Sequence, residues 1–435
     1  MKNFRKKFIL FTVLLIIGGA RVSQATEPSE KILQLESLIE EALNNNPLTK
    51  ASKQEEKSYG AKIGPSGSYE DPVLSFEAKD YPVTTMSRRQ YGMTGNEVSL
   101  SQKVPFPGKL SKLKNAASYE HQAKKELFNQ KQLEIIKNVK TAYYELYLSY
   151  KKYDILLEQK NLVKQLIVVI RNKYTLGKIS QAELLSFQTE EANIFNQLLL
   201  NEKEIRVRTD TLNYILGRTS HALSGRPEEI KKTQINLSKL TKSLVEQKVL
   251  QKNPALKATH AELEAAKEKV SYAKRGYLPD FELMGAYTFR EPSPGDAGVD
   301  FVSGRVGITL PIWALTKQSE EVKGAKAEMA MKNALLEEGQ NSLLRMTHSI
   351  HAEISEASQR LLLYETSLLP LAKQAVRSGK SAYLTNKIEY LSLINLINNR
   401  FNIEYAYHEG LVTYELKIAE LEALLGEQIG GFHYE

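Results

Sequence analysis

An internal duplication is the feature that most constrains how this chain folds. Asn46-Pro47 recurs as Asn253-Pro254, and Pro72 recurs as Pro279, both 207 residues apart. The later matches keep this order at offsets of 206 to 209 residues: Pro105 with Pro311, Tyr174 with Tyr383, Ile179 with Ile388, and Leu216-Gly217 with Leu425-Gly426. The pattern predicts two copies of one unit of roughly 200 residues rather than a series of unrelated domains.

The duplication also gives the domain division. We predict a first repeat over residues 26–217, a linker or equatorial segment over 218–241, a second repeat over 242–426 and a C-terminal tail over 427–435. Each repeat has the same order of patterns: a helical segment, two short strands, one very long helix, a tight turn and a returning helix.

The N-terminal segment has the features of an export signal. Four basic residues among the first seven precede an apolar run over residues 8–20, and Ser23-Gln24-Ala25 provides a small-residue cleavage site. We expect residues 1–25 to be removed as a signal peptide. Removal lowers the basic residues from 59 to 54 against 51 acidic ones, so the formal net charge of +8 falls to +3. Nothing in this balance predicts a nucleic-acid partner.

The remaining composition points to a bacterial envelope. The chain has no cysteine, so it has neither disulfides nor thiolate metal ligands. After residue 25 no apolar stretch reaches the roughly 18 residues of a transmembrane helix. If the chain spans a membrane, it must therefore do so by strands.

Four short segments alternate in the manner of strands with one apolar face. We predict strands at about residues 72–80, 96–104, 279–290 and 301–312. In the first of them Leu74 and Phe76 oppose Ser75 and Glu77. Two interpretations fit this alternation, a membrane barrel or two ordinary hairpins on a soluble core. Four strands cannot close a barrel alone, so the first interpretation requires shared subunits, and three chains would supply twelve strands.

The helical segments are too long for a globular domain. Residues 109–173 hold apolar side chains at three- and four-residue spacing without proline, which predicts a helix of roughly 100 Å. We expect hairpins over about 109–216 and 317–426, the first returning in two stacked pieces at about 180–216 and 242–276. Pro370 predicts either a bend or a break in the second long helix.

The helical turn at residues 173–185 reads Lys-Tyr-Thr-Leu-Gly-Lys-Ile-Ser-Gln-Ala-Glu-Leu-Leu. With the paired repeats and two strands per repeat, this tip resembles the outer-membrane efflux factor family, the TolC-like exit ducts of bacterial tripartite exporters. The resemblance implies a mainly α fold with a small transmembrane β portion. It also implies a homotrimer with a twelve-stranded barrel in the Gram-negative outer membrane and a periplasmic α-barrel. The helix tips would meet a periplasmic adaptor (membrane fusion) protein and an inner-membrane pump.

The resemblance also implies site residues at the tips. The expected adaptor contacts are Gly177, Lys178, Ser180, Asn386 and Lys387. The acidic gate pair of the best-known member falls on Ser392 and Asn395, and neither is charged. Glu389 is the nearest acid, so a threefold carboxylate ring could form there at the pore entrance. The alternative is that Glu389 is an ordinary solvated helix residue.

The sequence offers few residues that could bind a metal or catalyse a reaction. His348 and His351, three residues apart, are weak metal-ligand candidates, and we expect no cofactor and no enzyme activity. The segment Pro105-Phe106-Pro107-Gly108-Lys109 is similar to the branch paired with heavy-metal exporters, which implies heavy-metal cations, or else drugs, as exported substrates. Tyrosines 143, 144, 147, 150 and 153 predict packing between neighbouring helices. The alternative function is a periplasmic coiled-coil adaptor or scaffold of an export complex.

Overall fold

The computed structural model describes residues 32–218, 223, 225–235 and 242–427. The predicted signal peptide, the tail beyond residue 427 and parts of the predicted linker lie outside these residues. The helices within them are α1 (Leu35–Asn45), α2 (Pro47–Ser66), α3 (Lys109–Thr175), α4 (Gln181–Ile215), α5 (Lys242–Lys252), α6 (Pro254–Arg275), α7 (Gln318–Leu363), α8 (Leu369–Leu384) and α9 (Tyr390–Leu425). The strands are β1 (Ile32–Leu33), β2 (Val73–Lys79), β3 (Gly95–Val104), β4 (Arg226–Pro227), β5 (Asp280–Arg290) and β6 (Phe301–Thr309). In this part of the chain no helix has both the length and the apolar content of a membrane span.

A four-stranded antiparallel sheet lies at one end of the molecule. Its order is β2-β3-β5-β6, so the central pair β3 and β5 joins the two halves of the chain. The register aligns Phe76, Val98, Tyr287 and Val302 in one row across all four strands. β2 and β6 are the edge strands, and each has one side without a strand partner among the described residues.

The long helix α3 is the centre of the helical region. It has 67 residues, about 100 Å at 1.5 Å per residue. Near the sheet it packs against α2 and α6, and toward the far end it packs against α4 and α9. A buried apolar core of α3, α4, α8 and α9 residues fills this far half, which ends in two helical tips.

The short helices stack end to end in columns, but not in the predicted order. The amide Nδ2 of Asn46 donates to Ile215 O at the end of α4 (2.7 Å), so α2 continues the α4 column. Asn253 Nδ2 donates to Leu424 O at the end of α9 (3.0 Å), so α6 continues the α9 column. The prediction that residues 242–276 stack on residues 180–216 is therefore wrong.

The Asn-Pro pair that marks each repeat is the joint of each column. The Oδ1 of Asn46 accepts from Leu48 N–H (2.8 Å) and caps α2, while the Oδ1 of Asn253 accepts from Leu256 N–H (3.0 Å) and caps α6. The following proline occupies the first helical turn, where its missing N–H costs nothing. Both asparagines are buried. Each side chain thus caps the start of one helix, α2 or α6, with its oxygen. Its nitrogen caps the end of the helix stacked against it, α4 or α9.

Pro370 lies within a backbone that stays helical. α7 passes through a π-helical turn (Tyr364–Leu368) directly into α8, and Leu368 and Leu369 keep helical φ and ψ. Proline lacks an N–H and its ring crowds the carbonyl four residues earlier, here that of Thr366. A π-helical turn is a common way for a helix to absorb such a mismatch. The predicted alternative of a break between two helices is wrong.

Candidate functional site

The sheet exposes its apolar face, while its polar face is buried on the central strands β3 and β5 and exposed on the edge strands. Phe76 and Val302 on the apolar face are 69% and 81% exposed. On the other face Glu97 is 5% exposed and Thr288 is 4% exposed, and the Oε2 of Glu97 accepts bonds from Lys79 Nζ (3.0 Å) and Thr288 Oγ1 (3.2 Å). A water-soluble sheet would bury the apolar face that this sheet exposes.

The first tip is a Schellman turn at the end of α3. Gly177 has φ +67°, and its N–H donates to Tyr174 O (2.8 Å). Lys178 N–H donates to Lys173 O (2.9 Å), which completes the two-bond pattern. Ser180 then caps α4, its Oγ accepting from the N–H of Glu183 (3.2 Å). The turn leaves Gly177, Lys178 and Ser180 exposed.

The second tip repeats this geometry with asparagine in place of glycine. Asn386 has φ +58°, and its N–H donates to Tyr383 O (3.1 Å). Lys387 N–H donates to Ala382 O (2.8 Å). Asparagine tolerates the left-handed conformation better than most residues. Asn386 and Lys387 are exposed at the turn.

Lys173 joins the two tips. Its Nζ donates to three acceptors at the end of α8: Tyr383 O (3.1 Å), Leu384 O (3.3 Å) and Asn386 Oδ1 (2.8 Å). The ammonium also lies 4.9 Å from the centre of the Tyr383 ring. A cation at a helix C-terminus satisfies free carbonyls and compensates the helix dipole. We call this set of contacts the tip clasp.

An aromatic cluster lies just behind the tip clasp. Phe187 of α4 packs edge-on against Tyr390, with ring centroids 4.4 Å apart, and against Tyr383 at 6.0 Å. The hydroxyl of Tyr383 donates to Glu183, which links α8 to α4. Burial first, and the hydrogen bond to Glu183 second, raise the pKa of Tyr383 far above its usual value, so this hydroxyl stays protonated. The four tip helices are thus held together.

Comparisons with known proteins identify the family. The sequence model described as "Outer membrane efflux protein" matches residues 38–218 and 245–388. The chain belongs to this family. It is 19% identical over 301 residues to the outer membrane protein TolC of Vibrio cholerae serotype O1, an alignment covering 67% of each protein.

Two solved structures of membrane proteins share the fold. The crystal structure of CusC, described for transmembrane channel formation, matches with a TM-score of 0.76 at 15% identity over 92% of this chain and 93% of CusC. VceC from Vibrio cholerae matches with a TM-score of 0.75 at 18% identity over 91% of this chain and 96% of VceC. The chain is thus an efflux channel protein of the outer membrane that extends into the periplasm, and the periplasmic adaptor alternative is wrong.

The predicted entrance residues of this efflux protein lie at the start of α9. Glu389 is the N-cap residue of α9, and its side chain makes no capping bond. Ser392 and Asn395 follow at three-residue steps, and all three side chains are exposed. The structure therefore brings the three residues together along the exposed side of one helix, next to the second tip.

A strap across the middle of the helices explains the tyrosines of α3. The hydroxyl of Tyr143 accepts from Glu228 N–H (2.8 Å), and that of Tyr147 donates to Glu229 Oε1 (2.9 Å). Burial raises the pKa of Tyr143 to about 12. These hydroxyls hold residues 225–235, a role that the predicted packing between helices did not include.

The strap is also fastened to α9. Glu415 is buried, and its two carboxylate oxygens accept from the N–H and the hydroxyl of Thr233, both at 2.7 Å. Burial raises the pKa of Glu415, an effect that the two hydrogen bonds oppose. Tyr414 donates its hydroxyl to Thr233 O (3.0 Å). The strap therefore spans α3 and α9 at mid-length.

The weak metal candidates on α7 do not form a ligand set. His348 Nε2 lies 2.6 Å from Glu246 Oε1 of α5, while nearby Glu353 bonds Ser349 and Lys417. Within the residues that the structure describes, no group of three or more His, Asp or Glu side chains is placed to hold a metal ion. His351 therefore belongs to no such group there.

Sequence reasoning missed the tip clasp and the column joints. Lys173 was part of the tip pattern, but a lysine in the last turn of a helix ordinarily caps its own helix. Asn46 and Asn253 were recognised only as repeat markers. Their signal was present, because Asn followed by Pro combines a preferred N-cap residue with a preferred first helical residue.

Proposed function

We propose that three copies of this efflux protein form a passive exit duct through the outer membrane and the periplasm. An inner-membrane pump would supply the energy, and the duct would supply a sealed route with a gate at its periplasmic end. The observation that carries the proposal is the exposed apolar face of the sheet, because such a face is stable only against lipid or another apolar surface.

The sheet supports a shared barrel. A four-stranded sheet whose two edge strands have no further strand partner among the described residues cannot remain open in lipid, where each unpaired backbone group costs several kcal/mol. Three sheets joined edge to edge would give the twelve-stranded barrel of a homotrimer. Lipid would contact the row of Phe76 and Val302, and the Glu97 face would line the interior.

The helices support a periplasmic α-barrel built by the same trimer. Large apolar side chains remain exposed on α4 and on α7 and α8: Leu185, Phe195, Leu199, Leu200, Val207, Met331, Leu335, Leu362, Leu363 and Leu371. Neighbouring subunits would cover them. The division into repeats over residues 26–217 and 242–426 with a linker over 218–241 belongs to this proposal, and each repeat would supply one column and one long helix.

The exposed tips are the proposed contact with the periplasmic adaptor. The two Schellman turns present a lysine each, Lys178 and Lys387, beside the turn residues Gly177 and Asn386. Ser180 lies at the first turn of the returning helix. Because each chain has two tips of the same shape, a trimer would present six of them to the adaptor. The adaptor would in turn connect the duct to the pump.

Heavy-metal cations are the proposed substrates, with drugs as the second choice. The support is the resemblance of residues 105–109 to the branch paired with heavy-metal exporters. His348 and His351 add nothing to it, because His348 is already engaged by Glu246. Passage through the duct would then depend on the pump rather than on a resident metal site.

Planar-bilayer recording of the purified protein tests the duct. We expect discrete, voltage-independent conductance steps of uniform size without ATP or a proton gradient, because a duct conducts passively. Protein that inserts into vesicles as an oligomer and passes no ions, even with the Lys173→Met substitution that should open its entrance, would contradict the proposal.

Glu389 is expected to form a weak cation site at the entrance. Three such carboxylates on a threefold axis would attract cations, while Ser392 and Asn395 add no charge, so divalent cations should block the channel only weakly. Glu389→Gln should abolish the block that remains, and Glu202→Gln, at an exposed position far along α4, should leave it unchanged. Tight block that persists in the Glu389 variant would contradict this role.

A further inference from the structure

The two strand-to-helix turns of the duplicated chain differ in how they are covered. The first turn, between β3 and α3, is sealed by the chain itself. Lys109 is buried, and its Nζ donates to Asp280 Oδ1 (2.7 Å) and Leu278 O (3.1 Å). The N–H of Phe106 donates to the same carboxylate (2.7 Å). The cover is the junction between α6 and β5, which belongs to the second half of the chain.

The second turn, residues 310–317 between β6 and α7, has no such cover among the residues that the structure describes. Its apolar side chains Leu310, Ile312, Trp313 and Leu315 are between 67% and 89% exposed. Lys317, the last residue before α7 and 208 residues after Lys109, is exposed, and its side chain has no polar partner in the described part of the chain.

The segment of the first repeat that corresponds to this cover is also largely exposed. Residues 66–73 join α2 to β2, as residues 276–280 join α6 to β5. Tyr69 and Val73 are exposed there. Asp71, 207 residues before Leu278, is exposed, and no described residue contacts its carboxylate by a hydrogen bond or an ion pair. The chain thus covers its first strand-to-helix turn with residues 276–280. The second turn, residues 310–317, and the corresponding segment, residues 66–73, are both left largely exposed.

We propose that residues 310–317 of one subunit are sealed by residues 66–73 of a second copy, with Lys317 facing Asp71 of that copy and Trp313 packing on its Tyr69. The contact of residues 106–109 with residues 276–280 is the template, because it joins the first repeat to the second repeat of the same chain. The proposed contact would join the second repeat of one subunit to the first repeat of its neighbour in the same way. This rests on the proposed trimer and names its contact at the level where sheet meets helices.

Two observations favour a second copy over lipid as the cover. The cation Lys317 and the anion Asp71 are complementary and both lack a partner in the described residues, whereas lipid chains would satisfy neither. The free edges of β6 and β2 also lie beside these two segments. Their apolar residues alternate in step, at even positions such as Val306 and Ile308 in β6 and Leu74 and Phe76 in β2, so antiparallel pairing can keep both sets on one face.

Cysteine cross-linking tests the contact, because the natural chain has no cysteine. The double variant Lys317→Cys/Asp71→Cys, treated in membranes with a short bis-maleimide, should give dimer and trimer bands on denaturing gels, and each single variant should not. The control Lys112→Cys/Glu268→Cys replaces an ion pair between α3 and α6 of one chain (2.9 Å) and should cross-link without forming oligomer bands.

Trp313 provides a second test in the unmodified protein, because it is the single tryptophan. Its fluorescence in reconstituted protein should resist quenching by acrylamide and by brominated phospholipids. Quenching by brominated lipid would show a lipid cover, quenching by acrylamide would show open water, and either overturns the proposal. A trimer that fails to cross-link at 317 and 71 refutes this contact alone, whereas a monomer in detergent refutes the proposed duct as well.

Discussion

Replacing Asn253 with Asp is expected to destabilise the protein strongly although Asp is as good an N-cap residue as Asn. The Oδ1 bond to Leu256 N–H can be kept, but the donor to Leu424 O is lost and a carboxylate is placed against that carbonyl. Because the site is buried, we expect a loss of about 2–3 kcal/mol. Thermal unfolding followed by circular dichroism should show a fall of several degrees in the apparent melting temperature.

Ser180→Asp is the matched control for this substitution. Ser180 caps α4 through a single accepted bond, and its side chain has no hydrogen-bond partner on another helix in the described part of the chain. Aspartate should therefore be tolerated there within about 0.5 kcal/mol. If the Asn253→Asp variant has the same apparent melting temperature as the unmodified protein, Asn253 is only a cap. The end-to-end joint between α9 and α6 then does not depend on it.

Replacing Lys173 with Met is expected to open the periplasmic entrance. Methionine keeps the length of the side chain but removes the three bonds to the end of α8 and the ring contact with Tyr383. We propose that these bonds are made when the entrance is closed and broken when it opens; charge-assisted bonds at a half-exposed site would then favour the closed tips by about 2–3 kcal/mol together. Since 1.4 kcal/mol is a factor of ten, the open population should rise by one to two orders of magnitude.

Single-channel recording measures this opening as higher open probability or conductance. Lys178→Met is the control, since Lys178 lies at the same turn but its side chain makes no contact with the second hairpin among the described residues. The control should behave as the unmodified protein. Equal recordings from both variants would show that the tip clasp does not hold the entrance closed.

The spacing of apolar residues and the positions of prolines predicted the helices and strands of this fold well. The alternation around Phe76 and the uninterrupted helical pattern after Lys109 predict segments that the structure shows as β2 and α3. These are local properties, so a single sequence carries them. The family follows from the same ordered repeats, because a duplicated pattern of two strands and a long hairpin is far more specific than any one motif.

Relations between elements were harder to predict. The stacking of α6 on α9 depends on where Asn253 Nδ2 finds an acceptor, and the sequence does not say which helix end will be near it. The same is true of Lys173, whose partners lie 210 residues or more along the chain. Pro370 shows a further limit, since a π-helical turn can absorb a proline that would otherwise end a helix. The roles of Glu389, Ser392 and Asn395 stay predictions.

The mass of the complex extracted from membranes tests the central claim most directly. The mature chain, expressed with its own export segment, should be recovered from the outer-membrane fraction in detergent, and native mass spectrometry should give three times the mass of one mature chain. A trimer is predicted because the four-stranded sheet has two free edges and an exposed apolar face that one chain cannot cover. Recovery as a soluble periplasmic monomer would contradict the duct.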